Sequence, residues 1–98
     1  MEDSRIVELY WQKNADAIKE TNSKYGAYCF AIADNILHNK EDSEECVNDT
    51  WLNAWNAMPP QKPTKLQMFL AKITRNLSFN RFNARSAEKR GGGEIVLV

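Results

Sequence analysis

Apolar residues recur at three- and four-residue spacings along nearly the whole chain, and strict alternation of apolar and polar residues is almost absent. The pattern predicts helix from residue 3 to about residue 85, broken at three places, with only residues 95–98 reading as extended. A first helix starts at Asp3 or Ser4, a good N-cap, and runs to about Lys13 with Ile6, Val7, Leu9 and Tyr10 as its stripe. Asn14 is placed to cap a longer second helix, whose stripe is Ile18, Tyr25, Tyr28, Cys29, Ile32 and Ile36, with Gly26 as a weak point. In the third helix Val47, Trp51, Ala54 and Met58 repeat every three or four residues. Its start is marked by Asp42 with Glu45 three residues on, a capping-box-like pair for which Ser43 is the competing cap. Pro59, Pro60 and Pro63 stop this helix and leave a stiff, exposed loop. Thr64 and Gln67 then form a second capping box. It opens a fourth helix with Leu66, Phe69, Leu70, Ile73 and Leu77 inward, ended by Gly91, Gly92 and Gly93. The expected fold is all-α, a compact bundle of about four helices over residues 1–90, with residues 91–98 as the start of a linker.

Length and composition narrow this further. With 98 residues, 43% of them hydrophobic, the chain is one domain with a thin core, which excludes a large multidomain enzyme. No run approaches the ~20 apolar residues of a membrane span, and the N-terminus is acidic where a secretory signal is basic, so the expectation is a cytoplasmic protein without a membrane partner. Cys29 and Cys46 are too few for a disulfide scaffold and fit reduced core positions. The single histidine, His38, falls near the end of the second helix, where its charged form suits the helix dipole. It forms no metal-ligand set with the cysteines, and the glycine run lacks the lysine and hydroxyl of a phosphate loop. No metal, cofactor or enzymatic activity is therefore expected.

Charge changes the picture more. The formal net charge is zero, yet residues 1–58 hold 11 acidic against 5 basic residues, a net of −6, and residues 59–98 hold 8 basic against 2 acidic, a net of +6. Such segregation suits either two partners of opposite charge or two solvated surfaces. At 100° per residue, the third helix turns Glu45, Asn48, Asp49, Leu52, Asn53 and Asn56 away from its buried stripe. An acidic, amide-rich face with a leucine at its centre fits a binding surface for a basic partner; a lone exposed leucine is also common. The fourth helix sets Lys65, Met68, Lys72, Arg75, Asn76, Phe79 and Asn83 beside its stripe, with Asn80 at the border. Lysine and arginine neutralise phosphates, asparagine hydrogen-bonds base edges, and an exposed aromatic packs on an unstacked base. This mixture suits single-stranded or partly melted DNA better than intact duplex. Arg81, Arg85, Lys89 and Arg90 are expected to extend the positive charge, and the adjoining loop with Gln61 and Lys62 to wall a pocket for a flipped base.

The order of two blocks is more specific than either alone. Residues 42–55, with Ser43-Glu44-Glu45, Asn48-Asp49, Trp51-Leu52 and Trp55, precede residues 69–81, with Phe69-Leu70, Ile73-Thr74-Arg75-Asn76 and Asn80. Together they resemble domain 2 (regions 2.1 to 2.4) of bacterial RNA polymerase sigma factors of the extracytoplasmic-function group, over about residues 5–90. The resemblance implies that the third-helix face binds the coiled coil of the largest subunit of core RNA polymerase. It also implies that the loop and fourth helix recognise and help open the promoter −10 element on its non-template strand, with Asn76 at the family's typical asparagine. Asn80 stands where the family has an acid and Asn83 where it has a base, which alters the DNA contacts. Control by an anti-sigma protein is implied too, and a second, helix-turn-helix domain is expected beyond the linker and absent from this chain. The competing class is an all-helical interaction module that uses the acidic face and never touches nucleic acid.

Overall fold

The computed structural model describes residues 1–89, so the glycine run and the linker expected at 91–98 lie outside the described residues. Four helices follow in order: α1 (Asp3–Trp11), α2 (Asp16–Leu37), α3 (Lys40–Ala57) and α4 (Leu66–Lys89). The described residues contain no strand. The long helix α2 is the spine, packing against α1, α3 and α4, while α3 and α4 close on each other. The expected all-α bundle is thus the fold.

The starts of the helices differ from the sequence expectation in instructive ways. Neither Asp3 nor Ser4 caps α1, which begins one residue earlier with Glu2 at the cap and no side-chain bond there. Asp3 instead spends its carboxylate on α2, accepting from Lys24 Nζ at 2.8 Å and from Tyr25 Oη at 2.7 and 2.8 Å. The cap position of α2 falls to Ala15, which has no polar side chain to offer, and Asn14 one residue earlier accepts the Asp16 N–H at 2.9 Å in its stead. The start of α3 belongs neither to Asp42 nor to Ser43 but to Asn39, whose Oδ1 accepts the Asp42 N–H at 2.8 Å. Ser43 is buried and donates to the Asn39 carbonyl. In α4 the first carbonyl to accept is that of Lys65, from Phe69 N–H, which puts the cap one residue past the proposed Thr64. Gly26 leaves α2 unbroken.

The core follows small side chains. In α2 the buried positions are Ala17, Thr21, Tyr25, Cys29, Ala33 and Leu37, a strict four-residue ridge. Of the predicted stripe Tyr25 and Cys29 are buried as expected, whereas Ile18, Ile32 and Ile36 are half-buried and Tyr28 is exposed. In α4 likewise Leu66, Leu70, Thr74 and Ser78 are buried, while Phe69, Ile73 and Leu77 are half-buried. Close helix contact is what favours alanine, cysteine, serine and threonine here, provided each hydroxyl is satisfied. Thr21 donates to the Ala17 carbonyl at 2.7 Å and pairs with Tyr10 Oη at 2.8 Å. Between α3 and α4, Thr50 and Thr74 Oγ1 lie 2.9 Å apart, so one donates across and the other back to its own helix, to Cys46 or Leu70. Larger apolar groups complete the centre, with Ile6, Tyr10, Trp51, Met58, Leu66 and Leu70 in one cluster. The cysteines are free and buried, and burial pushes the Cys29 thiol up despite a hydrogen bond with Thr74.

Candidate nucleic-acid interface

The end of α3, the loop after it and the first turns of α4 enclose a groove of about 300 Å³. Its lining is Asn53, Ala57, Gln61, Phe69, Lys72, Ile73 and Asn76. Three of the residues selected from sequence for DNA, Gln61, Lys72 and Asn76, thus converge on one concavity with an aromatic and an aliphatic wall. Phe69 and Ile73 form those walls because the ridge of α4 rotates toward Thr74 and Ser78, leaving them half-exposed at the rim instead of buried. Asn53, assigned from sequence to the opposite face of α3, also faces this groove. Its Nδ2 donates to the Asp49 carbonyl at 2.8 Å, which leaves its amide oxygen for a ligand.

The other basic-face residues are exposed but outside the groove. Lys65 sits at the mouth of α4, and Met68, Arg75, Phe79 and Asn83 form its outer crest, with Met68 64% and Phe79 48% exposed. Asn80 lies apart, in a shallow hollow shared with Asp49, Leu77 and Arg81. Lys62 leans over Trp11, its Nζ 5.6 Å from the ring centroid.

Arg81 and Arg85 correct an expectation, since they do not extend the basic surface. Arg81 turns onto α3, Nη1 2.7 Å from Glu45 and 3.7 Å from Asp42, Nη2 3.8 Å from Asp49. Arg85 holds Asp42 at 3.0 Å and donates to the Leu37 carbonyl at 2.9 Å. Their charge is balanced internally. Arg90 lies outside the described residues.

The acidic face of α3 is consequently divided in three. Glu45 and Asp49 serve α4 through Arg81. Asn48 faces α2, lining a cleft with Asn22, Gly26, Phe30, Glu44 and Val47. Leu52, 56% exposed, and Asn56 remain on the crest. Sequence reasoning missed the contribution of α2 to this region. Its one signal was Gly26: a Cβ there would stand 3.0 Å from Asn22 Oδ1, the atom that accepts from Trp51 Nε1 at 3.3 Å.

Among the described residues no group of His, Cys, Asp and Glu side chains is arranged to hold a metal ion, and no helix is long and apolar enough to cross a membrane. The described residues thus form a four-helix domain with an amide-bearing groove that holds Lys72 and, on α3, a crest of Leu52 and Asn56. The family model for sigma-70 region 2 matches residues 23–88, and the chain belongs to that family, whose role is promoter recognition and binding of RNA polymerase. No curated protein and no solved structure matches the chain.

Proposed function

We propose that this domain bridges core RNA polymerase and the promoter −10 element, holding the non-template strand open as a single strand. The observation that carries the reading is the groove that gathers Gln61, Lys72 and Asn76 against Phe69 and Ile73. One unstacked base fits it, with its edge toward the amides of Asn53, Gln61 and Asn76 and its phosphate toward Lys72. Lys65, Arg75, Phe79 and Asn83 then track the strand along α4, with Asn80 off that path, and Lys62 contacts it from the loop. The Leu52 crest, with Asn56 beside it, Asn48 toward α2, Asn53 at the border with the groove and Glu45 and Asp49 behind, receives the basic coiled coil of the largest polymerase subunit, a partner of the cytoplasm. An anti-sigma protein that covered either surface would silence the module, as in the extracytoplasmic-function group that the sequence resembles.

Fluorescence anisotropy with non-template −10 oligonucleotides tests the DNA half. Salt-sensitive binding is expected, and Asn76→Ala combined with Lys72→Ala should abolish it while the helical content measured by circular dichroism stays unchanged. Undiminished binding by that double variant overturns the groove. If Leu52→Arg abolishes polymerase capture while charge reversal at Lys72 and Arg75 leaves DNA behaviour untouched, the domain is an interaction module instead.

A further inference from the structure

The loop that walls the groove has a second side, facing α1. There Trp11 stands 40% exposed, with its Nε1 donating to the Gln61 carbonyl at 2.9 Å, so the indole is tied to the backbone of the residue whose side of the loop lines the groove. Lys62 lies over that indole and also lines a cleft of about 310 Å³ with Asp3, Ser4, Val7, Pro63 and Thr64. The carboxylate of Asp3 is already engaged by Lys24 and Tyr25, and the cleft is walled by Val7 and Pro63. At this volume it stands at the lower end of ligand-sized clefts (~300–1,000 Å³). The α1 side of this cleft and Trp11 precede the matched family segment, which starts at residue 23, whereas the loop residues Gln61 to Thr64 lie within it.

We propose that Trp11 and Lys62 take a second unpaired nucleotide, the neighbour in the strand of the one seated in the α3–α4 groove. The proposal rests on the single-strand reading above. An indole pinned at one edge with its face open is a stacking platform that costs little to order, and any of the four bases can use it. The ammonium now resting on the ring is held only by a surface cation–π contact, which is weak. An incoming base replaces it on the indole face, and the freed Lys62 meets the phosphate joining the two nucleotides. The loop then works as a ridge: one base falls on each side, and Gln61 touches both sites, through its place in the groove and through its carbonyl on Trp11. Charge complementarity favours a nucleotide as the occupant, since Lys62 and Lys65 flank the ridge and Asp3, the carboxylate that lines the cleft, is paired internally.

The test uses the full chain and two fluorescein-labelled single strands, a short one spanning the groove site and one extended by several nucleotides on both sides. Extension should strengthen binding by the unmodified protein. Trp11→Ala should weaken the extended strand about fivefold or more, the lower end for loss of one base–aromatic stack, and the effect on the short strand should be far smaller. Trp11→Phe keeps a stacking ring but loses the N–H bond to Gln61, and it should retain most of the gain from extension. Asn76→Ala should weaken both strands. Equal behaviour of Trp11→Ala and the unmodified protein on the extended strand overturns the second site while leaving the groove intact. Equal losses in Trp11→Phe and Trp11→Ala overturn it as well, since the indole would then only be bracing the loop. Failure of either strand to bind removes both sites together.

Discussion

Asn39 holds its amide oxygen 2.8 Å from the Asp42 N–H, while Asn76 lines an open groove. The first amide is used up by its own backbone, and the second is free to read a ligand. Their alanine variants should separate accordingly. Asn39→Ala should cost about 1 kcal/mol of folding stability, the usual loss at an N-cap, and leave DNA binding alone. Asn76→Ala should change stability by less than about 0.5 kcal/mol, as an exposed surface residue does, while lowering DNA affinity; thermal melts beside anisotropy titrations check both. The sequence singles out Asn76 because asparagine beside lysine on a helical face is a chemical signal. It points to Asp42 or Ser43 as the start of α3 because acids crowd that helix start, and cap preference among Asn, Asp and Ser is nearly flat.

At the scale of an element, the helices themselves were legible and their rotation was not. Val47, Trp51, Ala54 and Met58 were read correctly because large side chains dominate the periodic signal. In α2 and α4 the sequence pattern gives only part of each ridge, Tyr25 and Cys29 in the one and Leu66 and Leu70 in the other, because Ala17, Thr21, Ala33, Thr74 and Ser78 carry almost no hydrophobic signal, yet are where the backbones come close. That gap hid the groove, since Phe69 and Ile73 seemed to be core. Docking of α1 offers a further check. The Tyr25 phenol is pushed up to about 12 by burial and by the carboxylate of Asp3, against an ordinary 10.0. Burial works against the Asp3 carboxylate, but the hydrogen bonds from Lys24 and Tyr25 and the Lys24 charge hold it below 3.8. The neutral phenol is thus favoured by folding, so its contribution is whole below about pH 10 and lost as pH rises through about 12. The Asp3 contribution is present above 3.8 and lost as pH falls through the lowered value. Melting temperature followed by circular dichroism should therefore drop on the alkaline side. Tyr25→Phe should flatten only part of that drop, because Tyr10 is also raised, by burial that outweighs its bond to Thr21.

For the whole molecule, the opposed charges of the two halves are partly spent on each other. Nothing in the sequence pairs Arg81 with Glu45, because the two are 36 positions apart and the contact depends on how α3 and α4 cross. The consequence is measurable as ionic strength. Lys62, Lys65, Lys72 and Arg75 remain exposed for phosphates. Four cations on a single strand should give a slope of log affinity against log salt of about −3, whereas adding Arg81 and Arg85 would give about −4. Arg81→Gln should accordingly leave the slope unchanged, a result that anisotropy titrations across a salt series can read.

Arg85 reaches three helices at once, with its own α4 at one end and Asp42 of α3 and the last carbonyl of α2, Leu37, at the other. A fork planted in that corner is a bracket that ties α4 to both α2 and α3. On the proposed bridging, the direction in which the strand enters is set by how the crest of α3 is seated. Alignment of a promoter on the polymerase would then be a matter of rigid geometry, inherited from a guanidinium outside both proposed surfaces.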